Sequence, residues 1–193
     1  WPDYFEDSNG AVINIGPGSP TGISFGHHSN FPAPYQDKLF ICDWTFGSIY
    51  LIDMEEDGSS YVGTKTEFLN GQPLNISAMR FGPDGHMYFL VGGRNTDSRL
   101  YRIRYVGPPQ KGAGKRLVAN QDLRDLRHSL EVFHGNPHAG NTAITRAWPH
   151  LSHPDRNIRY AARLAIENQP VSLWQERVLR EEDQRALIHA SIA

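Results

Sequence analysis

The feature that most narrows what this chain can fold into is an internal duplication in its first half. "ISFG" (Ile23–Gly26) matches "MRFG" (Met79–Gly82), "KLFICDW" (Lys38–Trp44) matches "HMYFLVG" (His86–Gly92), and "SIYLIDM" (Ser48–Met54) matches "RLYRIRY" (Arg99–Tyr105). The offsets are 56, 48 and 51 residues. Each run is short, rich in Ile, Val, Phe and Tyr, and bounded by turn residues, which is the composition of strands. "GPDG" (Gly82–Gly85) is a tight-hairpin signal, because proline presets φ and glycine accepts φ > 0. "YVGTKTEFL" (Tyr61–Leu69) adds a fourth run after the first copy, and its alternation places Val62, Thr64, Thr66 and Phe68 on one face.

A repeated antiparallel unit of roughly fifty residues has the period of a propeller blade. The expected strands are 21–26, 38–43, 49–54 and 61–68 in one sheet, and 77–82, 86–91 and 99–105 in the other. The first copy carries an insertion, "HHSNFPAPYQD", where the second has only "PDG". A closed ring takes about four to eight blades. Two units therefore predict an incomplete antiparallel propeller, with its remaining blades supplied by further sequence or by other chains.

After Tyr105 the texture changes. "VGPPQKGAGKR" reads as a Pro/Gly/Lys linker, and the patterns beyond it are helical. In "NQDLRDLRHSLEVF" the residues Leu123, Leu126, Leu130 and Phe133 form one stripe. In "NTAITRAWPHL" Asn141 is the expected N-cap. "SHPDRNIRYAARLAIEN" is expected to begin near Ser152 or Asp155. It should bury Ile158, Ala161, Ala162, Ala165 and Ile166 and expose Arg156 and Arg163. "QPVSLWQERVL" and "REEDQRALIHASIA" supply two further segments. The expected domains are a β part over 1–106, a linker over 107–121 and a helical part over 122–193.

Charge divides along the same line. Residues 1–106 hold 7 Lys/Arg and 12 Asp/Glu, whereas residues 107–193 hold 12 and 9. The net charge of −2 argues against a general polyanion binder, so no nucleic-acid partner is expected. The single cysteine, Cys42, excludes an intrachain disulfide, a CxxCH haem attachment and a thiolate zinc cluster. The longest apolar run falls far short of a membrane span. The opening "WPDYFEDSNG" has no signal-like stretch and reads as part of something longer.

Two resemblances follow from these residues. The segment "AWPHLSHPDRNIRYAARLAI" resembles a HEAT repeat, with Pro154 and Asp155 in the turn and Arg159 and small alanines in the second helix. It implies an α-helical HEAT-like solenoid with a surface for a protein partner. "MRFGPDGHMYFLVGG" followed by "SRLYRIRYVG" resembles the last blades of a soluble quinoprotein-type sugar dehydrogenase propeller. The two together are similar to large secreted planctomycete and verrucomicrobial proteins, described as putative membrane-bound dehydrogenases. Those join such a propeller to HEAT repeats and then to a haem-binding domain. The resemblance implies a fragment of an extracytoplasmic sugar or alcohol dehydrogenase, in a periplasmic or secreted setting. Pyrroloquinoline quinone and calcium would belong to the full-length parent, and haem to a domain beyond this chain. The chain departs from that pattern in lacking CxxCH and the upstream blades. On this reading it is inactive alone.

The chemically useful loop residues are Asp43, Trp44, Arg94 and Asp97, in "DWTFGS" and "GGRNTDS". Arginine holds carboxylated groups, tryptophan stacks on flat rings, and aspartate accepts a proton or a cation, which makes the four a candidate cofactor-binding set. The competing reading has both aspartates capping turns, Arg94 solvated and Trp44 packing between sheets. The pairs His27/His28, His134/His138 and His150/His153 offer no converging ligand set, and no metal site is expected. A non-catalytic interaction scaffold is the rival to the dehydrogenase reading.

Overall fold

A computed structural model describes residues 5, 8–27, 29–108 and 119–193. Most of the expected linker, and His28, therefore lie outside the described residues. The chain divides into two compact units. One comprises Ile13–Glu55 and Val62–Leu117, and the other Trp1–Val12, Glu56–Tyr61 and Val118–Ala193.

The sheet unit, save for the β3–β4 turn at Glu56–Tyr61, is built from β1 (Pro20–Phe25), α1 (Ala33–Gln36), β2 (Leu39–Asp43), β3 (Ser48–Asp57), β4 (Ser60–Asn70), β5 (Ile76–Phe81), β6 (Met87–Gly93) and β7 (Thr96–Ile103). The strands lie within two residues of their expected starts, except β7, which begins three residues early. β1–β2–β3–β4 form one sheet in that order and β5–β6–β7 form a second. Ile41 faces Tyr50 across the antiparallel β2–β3 pair, and Leu90 faces Leu100 across β6–β7. The duplicated pattern thus fixes both pairings.

It does not fix a ring. Among the described residues the seven strands make two open sheets of four and three, and no propeller closes. The expectation of a propeller is overturned, because local strand patterns specify hairpins whereas closure requires more strands than these.

The sheets share one apolar layer. Phe40, Cys42, Ile49 and Leu51 from the first pack with Ile76, Met79, Met87, Phe89 and Val91 from the second. Phe31, in the insertion, joins them, with its ring 6.2 Å from Phe40 and 5.7 Å from Phe81. The insertion is pinned at its start. The backbone N–H of Asn30 donates to the Gly85 carbonyl at 2.9 Å, and the Asn30 side chain donates to the Asp84 carbonyl at 2.6 Å. The longer loop of the first copy thus docks on the short "GPDG" turn of the second.

The first sheet is also covered on its other face. Ile52, on the side of β3 opposite Leu51, is fully buried. A Cβ at Gly63 would stand 2.8 Å from Ile52 and 3.1 Å from Ile13, so glycine is what lets the segment before β1 lie against the sheet there. The Lys65 ammonium donates to the Ile15 carbonyl at 2.6 Å and sits 4.5 Å over the Tyr50 ring, which holds the segment down.

The helical unit contains α2 (Gln121–Glu131), α3 (Asn141–Ala147), α4 (Arg156–Glu167), α5 (Gln175–Val178) and α6 (Gln184–Ile192). The α4 face is as its spacing predicts: Ile158, Ala161, Ala162, Ala165 and Ile166 are all buried. Two expectations fail locally. The cap of α3 is Gly140, with Asn141 already inside the helix. Arg163 is buried, its guanidinium 5.0 Å over the Tyr160 ring, and Arg156 is half-buried. Long arginine side chains can cover apolar surface with their stems, so spacing alone does not assign them to solvent.

A HEAT solenoid is likewise overturned. In a solenoid each repeat touches only its neighbours in series. Here α4 touches α2, α3 and α6, so one alanine-rich helix is surrounded by the others. Short side chains on α4 permit that close approach. Only the coarse order, β followed by α, survives from the expected fold class.

Asp155 organises the start of α4. Its carboxylate accepts from the amides of Asn157 at 2.8 Å and Ile158 at 3.2 Å. It also accepts from the Ser59 amide at 2.6 Å and the Ser59 hydroxyl at 2.9 Å, which ties the β3–β4 turn into the same unit. Burial acts to raise its pKa, but the Ser59, Ile158 and Asn157 donors outweigh that and hold it below the ordinary carboxylate value. A depressed folded pKa stabilises above the unfolded value and is lost as pH falls through the folded one. Asp155→Ala is expected to cost about 1–2 kcal/mol at neutral pH. It should also flatten the acid limb of stability below about pH 4, where aspartate titrates. Urea unfolding followed by helical circular dichroism at several pH values tests this; an acid limb as steep as the wild type's would refute it.

Candidate functional site

Of the four loop residues singled out from sequence, Trp44 and Arg94 lie in the turns that follow β2 and β6, whereas Asp97 is the second residue of β7. Asp43 ends β2 and is almost fully buried. Its Oδ1 accepts from the amides of Ser19 at 3.1 Å and Thr45 at 2.7 Å, with a longer contact to Phe46 at 3.4 Å. Its Oδ2 has no hydrogen-bond donor, and it lies where a Cβ on Gly18 would come within 2.1 Å. This carboxylate is therefore the centre of a turn, sealed against backbone.

Trp44 and Arg94 are brought together. The Trp44 indole N–H donates to the Gly92 carbonyl at 2.8 Å, and its own carbonyl accepts from Asn75 at 3.0 Å. The Arg94 guanidinium lies 5.2 Å over the indole ring. Arg94 and Asn95 form the two-residue β6–β7 turn with φ of 47° and 67°. That left-handed pair matches the twist of the flanking strands but is strained for arginine, which lacks the freedom of Asn-Gly at such turns. The stack on Trp44 offsets part of that strain, by about 0.5–1 kcal/mol for an exposed cation–π pair.

Asp97 does not join them as a second acid. It is exposed, and its nearest cation is Arg99 at 3.5 Å. The group can therefore offer a flat anionic ligand one ring and one guanidinium. Among the described residues no three His, Cys, Asp or Glu side chains converge as metal ligands would. His134 bonds the Ala161 carbonyl at 2.9 Å. The His150 and His153 rings lie 6.2 Å apart. Burial first, and then the charges of His153 and Arg146, lower the His150 pKa. Cys42 is buried, and desolvation pushes its thiol up to about 12.

A second surface was not singled out from sequence. On the outer face of β5–β6–β7, Ala78 pairs with Leu90 and Leu90 with Leu100, giving one apolar row across three strands. Leu90 is 47% exposed and Leu100 65%. Two residues along, Arg80 pairs with Tyr88 and Tyr88 with Arg102. The Tyr88 hydroxyl donates to Asp84 at 2.7 Å, which fixes the ring and, with the His86 amide and charge, holds the Asp84 pKa down. A shallow groove of about 340 Å³ runs along Ala78, Tyr88, Leu90 and Leu100. The signal was present in "HMYFLVGG": an unbroken apolar run, unlike the alternation of β4, marks a strand with two faces to cover.

Comparison with protein-family models, with curated proteins and with solved structures gives no match, so the functional reading rests on the residues themselves.

Removing the Asp43 carboxylate orphans the amides it holds. Asp43→Ala is expected to lower stability by about 3 kcal/mol, since each buried donor left unpaired costs about 1–3. Asp97→Ala, on an exposed site, should change it by less than about 0.5 kcal/mol. Denaturant midpoints decide; equal effects would show that Asp43 is not the turn's anchor.

Proposed function

We propose that this chain is a protein-interaction module and not itself a catalyst. The observation that supports this most is the uncovered outer face of β5–β6–β7, where Ala78, Leu90 and Leu100 line up beside Arg80, Tyr88 and Arg102. A contiguous apolar strip rimmed by polar groups marks an interaction surface more often than isolated exposed leucines do. The polar residues favour the same reading. Catalysis needs an acid or base within reach of a reacting atom, with its own orienting partner. Asp43 is committed to backbone amides, and Trp44 with Arg94 supplies a ring and a cation but no base.

The dehydrogenase reading rests on resemblance alone, and one pair of measurements separates the two. The purified chain, supplied with quinone and calcium, is expected to reduce no dye with a panel of sugars and alcohols. Selection of displayed peptides on the immobilised chain is expected to enrich binders that the double variant Leu90→Asp, Leu100→Asp does not retain. Dye reduction abolished by Arg94→Ala, or a selection that enriches nothing, would overturn the interaction reading.

A further inference from the structure

We infer that the outer face of β5–β6–β7 receives an acidic amphipathic α-helix of a partner protein, an inference that rests on the interaction reading and names its partner's chemistry. Charge is the first argument. Residues 76–106 contain five arginines against two aspartates, within a half of the chain whose net charge is −5. Asp84 is engaged by Tyr88, and Asp97 lies beside Arg99. Among the described residues Arg80 and Arg102 form no ion pair, although both stand exposed on the same face, either side of Tyr88. Two unpaired guanidiniums beside an apolar row call for a ligand that carries carboxylates next to apolar side chains.

Spacing is the second argument. Neighbouring strands lie about 4.8 Å apart, so Ala78, Leu90 and Leu100 repeat across the sheet at that interval, and Arg80 and Arg102 stand about 10 Å apart. Successive apolar positions on one helix face, three or four residues apart, advance by about 5 Å, and positions seven apart by about 10 Å. A helix laid across the strands therefore places three apolar side chains over the apolar row. Two carboxylates seven residues apart on its flank then reach the two arginines. The arginine row lies two residues along each strand, about 7 Å from the apolar row, which is within the width of a helix about 10–12 Å across. Single-stranded nucleic acid fits less well. It would bring phosphates to Arg80 and Arg102, but the face offers it only one ring, Tyr88, and sets a leucine row where further bases would stack.

The test uses the full chain and a fluorescently labelled helical peptide. The peptide carries leucines at i, i+3, i+4 and i+7 with glutamates on the flanks, and a control carries lysine for every glutamate. Anisotropy is expected to show at least tenfold tighter binding of the acidic peptide, weakening as salt is raised. The double variant Arg80→Glu, Arg102→Glu should reverse the preference, and Leu90→Asp should abolish binding of both peptides, with circular dichroism confirming that each variant is folded. Equal binding of the two peptides, binding of neither, or indifference to the arginine reversals overturns the inference. So does displacement of the peptide by oligothymidylate, or a sedimentation-detected dimer that Leu90→Asp dissolves, since these assign the face to a nucleic acid or to a second copy. Those failures leave the interaction reading standing if peptide selection still enriches binders that depend on Leu90 and Leu100; an empty selection removes both.

Discussion

A β-sheet has two faces, and one neighbouring sheet can seal only one of them. The organisation of the sheet unit follows from that constraint. The layer between the sheets, with Phe31, Phe40, Met79, Met87 and Phe89 at its centre, buries one face of each. The first sheet obtains a second cover from the stretch around Ile13, admitted by the missing side chain at Gly63 and held by Lys65. The second sheet has no equivalent cover among the described residues, yet its central strand β6 is apolar on both sides and Leu100 extends the outer apolar row. The asymmetry is created by the chain preceding β1, since the two hairpins repeat nearly the same pattern.

Much of the local structure was legible in the sequence. Strand positions, both hairpin pairings and the buried side of α4 follow from alternation, from the turn at "GPDG" and from the 3.6-residue spacing of Ile158, Ala162 and Ile166. The larger architecture was not. Whether sheets close into a ring or helices stack in series depends on how many units assemble and on what lies outside each. Arg163 illustrates a smaller version of the same limit. Its place in the pattern is polar, yet it is buried, with its guanidinium over the Tyr160 ring.

The site residues divide in the same way. That Asp43 closes a turn follows from its position at a strand end, a role aspartate takes up readily through its short acceptor. The meeting of Trp44 and Arg94 was not legible as a contact, because it depends on how one hairpin's end lies against another's. The apolar row was legible only in part. "RLYRIRY" places Leu100 and Arg102 on one side of the strand and Tyr101 and Ile103 on the other. Which side remains open is decided elsewhere in the chain.

The placement of Cys42 has a consequence for where such a fold can persist. Thiol–disulfide exchange and oxidation proceed through the thiolate, and a thiol with a pKa near 12 that is closed off from solvent has almost none at neutral pH. With no second cysteine to pair with, these residues neither need an oxidising surrounding to fold nor a reducing one to stay folded. At Cys42, therefore, glutathione and disulfide exchange meet a buried thiol with almost no thiolate to attack or be attacked.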